Sequence, residues 1–167
     1  MEQHTFGCTP VTLAGTPVQV GDKAPDVTLV TGELKTVKLS DYAGKVVVLS
    51  SMPSMDTGVC QAQVRRFNQE ATAAGDDVVV IAVSMDLPFA QQRLCAAEGL
   101  DRVVALSDHR DAEFGTKYGF LMNEYRLLSR GNVVIDRDGV VRYVEYVPEV
   151  TQAVDFDAAL AAVKELV

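Results

Sequence analysis

The sequence predicts an α/β fold: a central mixed sheet flanked by helices, with an N-terminal β-hairpin extension. Three observations lead there. From Lys45 onward, apolar β-branched runs alternate with amphipathic stretches, the rhythm of strand, helix, strand, helix. Near the C-terminal end two extended runs, residues 132–136 and 140–144, flank Arg137-Asp138-Gly139, a strong hairpin signal, and a last helix follows. Before Lys45 there are only short extended segments and breakers. With 167 residues, 48 % of them apolar, the chain is expected to form one domain over residues 1–167, residues 1–20 being the extension.

Taken in order, Val11-Thr12-Leu13 and Pro17-Val18-Gln19-Val20 flank Ala14-Gly15-Thr16 and read as the hairpin, with glycine at its turn. Gly21-Asp22-Lys23-Ala24-Pro25 breaks the chain. Residues 26–30 and 34–39 are extended, and residues 40–44 make one helical turn with Ser40 as cap and Gly44 as stop. The strand 46–51 leads into a helix ending near Ala74-Gly75. Residues 77–83 are apolar on both faces, which places this strand centrally. Pro88 suits the first position of the next helix, which Gly99 closes. A short strand at 102–106, a short helix at 111–118 and a loop at 120–129 precede the final hairpin. The last helix starts at Asp155 with Phe156, Leu160 and Val163 in register. From Val46 this order matches a thioredoxin-like core.

Composition excludes several functions. The formal charge of −8 repels phosphate backbones and anionic lipid, so neither nucleic acid nor membrane is an expected partner. No apolar run approaches the roughly 20 residues needed to cross a bilayer. The first residues lack the basic and apolar blocks of a signal peptide, so a cytoplasmic location is expected. Three cysteines, far apart and without metal-site spacing, argue against a disulfide framework, and no metal or cofactor is expected.

The stretch at 53–60, PSMDTGVC, concentrates the chemistry. A strand ends there in a loop with proline, threonine and glycine, and Cys60 falls in the first turn of the next helix. Unpaired N–H groups and the helix dipole favour a negative charge at that point, and the thiolate is the reactive form of cysteine. A thioredoxin-like core carries its C-x-x-C dithiol in this slot, which here reads Thr57-Gly58-Val59-Cys60. Thr57 replaces the first cysteine, so exchange within the motif is impossible. As N-cap, Thr57 puts Cys60 at the third helical position and keeps a hydroxyl for an oxygen bound at the thiolate. The bland alternative is that Cys60, Val64, Phe67 and Ala71 form one apolar stripe in which the cysteine only packs.

Cys95 reads differently. With Ala90, Leu94 and Ala97 as the apolar face of its helix, Cys95 lies among Gln91, Gln92 and Glu98, and a thiol on a polar face goes against the usual preference for burial. An exposed second thiol is what a resolving cysteine needs. Cys8, near the hairpin and in no motif, reads as a bystander.

PSMDTGVC contains the P-x-x-x-T-x-x-C pattern of peroxiredoxins, and the chain resembles their thiol peroxidase branch, the atypical two-cysteine type. The resemblance extends through Arg65-Arg66-Phe67-Asn68-Gln69, through Ser84-Met85-Asp86-Leu87-Pro88-Phe89-Ala90-Gln91, and to Cys95. It implies that Cys60 attacks hydrogen peroxide or an organic hydroperoxide and becomes a sulfenic acid. It implies that Cys95 closes an intrachain disulfide with it and that thioredoxin restores the thiols, in a homodimer serving antioxidant defence. Pro53 would shield the thiolate, Thr57 would hydrogen-bond it, and an arginine would supply positive charge. The family places that arginine just before the penultimate strand, which points to Arg130. Arg126 is the rival, because segment 120–129 is shorter than usual and Gly131-Asn132 replaces more apolar neighbours. Two thiols on separate helices require unwinding of the first turn of the Cys60 helix before they can bond. A peroxide sensor or relay, and a non-catalytic thioredoxin-fold binding module, are the alternatives.

Overall fold

A computed structural model describes residues 3–167, with Thr72 described in its backbone only. Met1 and Glu2, the start of the expected extension, lie outside the described residues. In chain order the strands are β1 (His4–Phe6), β2 (Thr9–Val11), β3 (Thr28–Val30), β4 (Thr36–Lys38), β5 (Val46–Ser51), β6 (Val78–Ser84), β7 (Val103–Ser107), β8 (Leu121–Met122), β9 (Leu127–Leu128), β10 (Gly131–Ile135) and β11 (Val141–Tyr146). The helices are α1 (Gly58–Ala74), α2 (Pro88–Glu98), α3 (Glu113–Lys117) and α4 (Phe156–Leu166), with a 3-10 turn at Leu39–Tyr42. Seven strands form the central sheet in the order β11-β10-β5-β6-β7-β3-β4. The pairs β5–β6 and β6–β7 are parallel, and the remaining pairs are antiparallel. This is the expected mixed sheet, with β6 at its centre.

Alternation along β5 and β6 builds a core on each face. Val47, Leu49, Ile81 and Val83 join Phe114, Tyr118 and Phe120 on one side. Val46, Val48, Val80 and Ala82 join Cys60, Val64, Phe67, Ala159 and Val163 on the other. Helices α1 and α4 therefore cover one face, and α3 packs against β3 on the opposite one. Asp155 caps α4 by accepting from the Ala158 N–H at 3.0 Å.

Two local expectations are corrected. The N-terminal hairpin pairs β1 with β2 rather than residues 11–13 with 17–20, and its turn is Gly7-Cys8, both at positive φ. Gly15 serves close approach instead: a Cβ there would collide with the Thr116 carbonyl. Ser40 does not cap the 3-10 turn. Its amide and hydroxyl donate to Asp26, while the Asp41 carboxylate accepts from the Lys38 N–H at 2.9 Å. The loop at 120–129 also contains a small hairpin, β8–β9.

Asp108, between β7 and α3, is buried and accepts from the amides of Phe114 and Gly115 at 3.0 and 2.8 Å. Burial pushes its carboxyl up to about 6, against the pull of those two amides. The folded value lies above that of an unfolded aspartate, about 3.9. The native state therefore holds the proton more tightly, and this contribution to stability is greatest below the unfolded value and declines as pH rises through about 6. Chemical denaturation of wild type and Asp108→Asn should show wild type losing on the order of 2–3 kcal/mol relative to the variant between about pH 4 and about pH 7. Parallel pH profiles would contradict this.

Candidate active site

Because β5 and β6 run parallel in the register Val46↔Val78 to Ser51↔Val83, their C-terminal ends finish at the same sheet edge. Strand β10 runs antiparallel to β5 with Gly131 opposite Ser51, so its beginning lies there too. Three connections converge at this edge, the usual location of a site in an open α/β sheet. They are residues 52–57 before α1, residues 85–87 before α2, and Ser129-Arg130 before β10.

The first connection is held by the second. One oxygen of Asp86 accepts from the Ser54 hydroxyl at 2.7 Å, and the other accepts from the Met55 N–H and the Ser84 hydroxyl, both at 2.7 Å. Pro53 is buried in this loop. Thr57 is extended and caps α1, its hydroxyl oxygen accepting from the Cys60 N–H at 3.4 Å. Cys60 is thus the third helical residue, as the sequence predicts. The Thr57 hydroxyl donates to the Ser54 carbonyl at 3.4 Å, a long contact that a closer acceptor can displace.

Cys60 is fully buried, and Val64, Phe67 and Ala71 are buried along the same stripe. Packing therefore accounts for its position, but not for what faces it. Arg130 is 3 % exposed, and each of its three nitrogens is engaged. Nε donates to the Val150 carbonyl at 2.8 Å, Nη1 to Gln63 Oε1 at 2.7 Å, and Nη2 to the Cys60 sulfur at 3.1 Å. Gln63 in turn donates to the Ser50 hydroxyl and the Ser51 carbonyl. Among the described residues no carboxylate pairs with this buried guanidinium. Its two oxygen acceptors are neutral, and the sulfur is the partner able to take negative charge. Gly131 lets β10 sit close here, since a Cβ would collide with the Glu145 carbonyl and the Phe120 ring. Arg126 is exposed on the turn between β8 and β9, with φ of 53°. Of the two arginines it is Arg130 that reaches Cys60.

Cys95 departs from the expected placement. The inward face of α2 is Pro88, Gln91, Leu94 and Cys95, while Ala90 and Ala97 are exposed. Gln91 is polar yet buried because its amide donates to the Ser84 hydroxyl and the Leu106 carbonyl. Cys95 is half-buried against the apolar cluster that contains Cys60, and burial pushes its thiol up. It also lines a groove of about 530 Å³ beside Gln92 and the segment 31–37. Cys8 is exposed. All three thiols are free, with α1 and α2 intact.

Sequence reasoning missed Gln63 and Asp86. Gln63 had a signal, since a glutamine three residues after Cys60 interrupts an otherwise apolar stripe. Asp86 had a weaker one: it follows β6 at the edge where β5 delivers Cys60.

Fold and site together describe a thiol enzyme on a thioredoxin-like scaffold, and comparison with known proteins agrees. The redoxin family matches residues 19–162. The chain is 53 % identical over 161 residues to the thiol peroxidase of Oceanobacillus iheyensis, covering 96 % of this chain and 98 % of that one. It is 50 % identical over 167 residues to the thiol peroxidase of Bacillus subtilis, covering 100 % and 99 %. A peroxiredoxin-like protein from Aquifex aeolicus superposes with a TM-score of 0.92 at 36 % identity, over 100 % of this chain and 98 % of that one. The chain belongs to the redoxin family, within the thiol peroxidases of the peroxiredoxin group. It is a peroxidase enzyme, which takes a peroxide as substrate and a thiol as reductant. No described helix is long and apolar enough to cross a membrane.

Replacing Asp86 with alanine removes the acceptor of three hydrogen bonds. Urea denaturation should show a loss on the order of 2–4 kcal/mol, with slower peroxide consumption as the 53–57 loop loosens. Stability within about 0.5 kcal/mol of wild type would contradict the clasp.

Proposed function

We propose that Cys60 is the peroxidatic nucleophile, reducing hydrogen peroxide and organic hydroperoxides. The observation that carries this reading is the contact between the buried Arg130 guanidinium and the Cys60 sulfur. A guanidinium stays charged, and its rigid fork is held here by Val150 and Gln63, so it favours the thiolate and remains poised for a peroxide oxygen. The thiolate attacks the terminal peroxide oxygen. A sulfur–oxygen bond forms, the O–O bond breaks, and the departing alkoxide or hydroxide takes a proton to leave as alcohol or water. Cys60 is then a sulfenic acid. Pro53 closes the loop over the sulfur, and Thr57 turns its hydroxyl from the Ser54 carbonyl to the bound peroxide.

In the second step the Cys95 thiolate attacks the Cys60 sulfur, the S–S bond forms and hydroxide leaves as water. Cys95 belongs to the same apolar cluster but to a different helix, so the first turn of α1 must unwind and Cys95 must emerge. A thioredoxin dithiol then reduces the disulfide by exchange, which is what the family resemblance implies, and the enzyme serves antioxidant defence in the cytoplasm. Exposed Val59, Leu87 and Phe89, near the starts of α1 and α2, support a homodimer contact at that edge.

Cys60→Ser should consume peroxide at least about 100-fold more slowly, whereas Cys95→Ser should use one equivalent and then stall with thioredoxin as reductant. Turnover by the Cys60 variant at the wild-type rate would overturn the proposal. Because burial holds the Cys95 thiol up, disulfide closure in single-turnover mass spectrometry should accelerate from about pH 7 to about pH 9. A flat rate would argue against Cys95 as the attacking thiol.

A further inference from the structure

The N-terminal hairpin and the turn after β11 meet at a single carboxylate. Glu149 Oε1 accepts from the Thr5 hydroxyl at 2.9 Å and the Cys8 N–H at 2.7 Å. Its Oε2 accepts from the Gly7 N–H at 3.2 Å and from the Thr151 N–H and hydroxyl at 2.8 and 2.6 Å. The backbone adds Thr5 N–H to the Pro148 carbonyl and Val150 N–H to the Thr5 carbonyl, both at 2.8 Å. Donors from Thr151 and Cys8 hold the Glu149 carboxyl down at about 2, so it is charged at any ordinary assay pH.

The clamped turn touches the active site. The Val150 side chain is fully buried with Val11 and Met122 beneath the hairpin, while its carbonyl accepts from Arg130 Nε at 2.8 Å. The Val147 N–H donates to the Arg130 carbonyl at 2.9 Å. Arg130 is therefore gripped at backbone and side chain by the segment that Glu149 ties to the hairpin. We propose that Glu149 is a positioning residue for peroxide reduction: by fixing residues 147–151 against the hairpin, it sets the Val150 carbonyl that aims the Arg130 guanidinium at Cys60. The extension becomes a strut for the catalytic arginine. The inference rests on the reading that Arg130 activates Cys60.

Glu124 provides the control. Both of its oxygens accept from the Thr12 N–H, at 2.8 and 2.9 Å, so it ties the same extension to the β8–β9 turn without touching the segment 147–151. Second-order rate constants for hydrogen peroxide, their pH profiles and melting temperatures are measured for Glu149→Ala, Glu149→Gln, Glu124→Ala and Arg130→Met. The inference predicts that Glu149→Ala slows the reaction about tenfold and moves the acid limb of its profile to higher pH. Glu149→Gln, which keeps one acceptor oxygen, should fall between that variant and wild type, and it carries the test if the alanine variant does not fold. Glu124→Ala should stay within about twofold in rate with an unmoved limb, whatever its melting temperature. Glu149 variants within about twofold of wild type, beside a slow Arg130→Met, would overturn the inference alone. An equal loss in Glu124→Ala would also overturn it, as general destabilisation. A fast Arg130→Met would remove the reading of Arg130 and this inference with it.

Discussion

The contact between Arg130 and Cys60 is the constraint on which the site depends. A guanidinium withdrawn from water is costly unless it is paired and hydrogen-bonded. Here two neutral carbonyl oxygens, from Val150 and Gln63, satisfy two of its nitrogens, and the third faces a sulfur. Among the described residues no carboxylate pairs with that charge. In the proposed function the contact with Arg130 is what separates Cys60 from an inert, buried packing cysteine. The same burial strengthens its interaction with Arg130, because the surrounding dielectric is low.

Sheet topology makes the contact possible. Parallel β5 and β6 deliver residues 52–57 and 85–87 to one edge, and antiparallel β10 starts at that edge with Arg130 in front of it. Asp86 then joins the loop leading to Cys60 with the connection leading to the helix of Cys95. The segments that carry Cys60 and Cys95 are thus joined through one carboxylate. Thr57 and Pro53 lie in a loop that is held from outside by that carboxylate.

What was legible in the sequence was local. The apolar run of β5, the threonine cap of α1, the proline and glycine bounding α2 and the Arg137-Asp138-Gly139 turn depend on neighbours in the chain, and each lies where the pattern puts it. The structure departs from the local pattern where a distant residue decides. Gln91 reads as a surface residue, yet Ser84 and the Leu106 carbonyl bury it and turn Cys95 inward with it. Gly15 reads as a turn, yet the Thr116 carbonyl is what requires it. Gln63 and Asp86 gained meaning only once β10 and β6 brought their partners to the same edge. Nothing in the local sequence separates Arg130 from Arg126; in the fold one is buried and the other is exposed on a turn.

Cys60 and Cys8 make opposing tests of this account, since one is fully buried and the other exposed. If accessibility governed oxidation, Cys8 would react first. If the charge on Arg130 governs it, the buried thiol wins. The direct measurement is peptide mapping of Cys95→Ser treated with less than one equivalent of hydrogen peroxide in the presence of dimedone, which traps sulfenic acid. The account predicts the adduct on Cys60 with Cys8 unmodified. An adduct chiefly on Cys8 would contradict it.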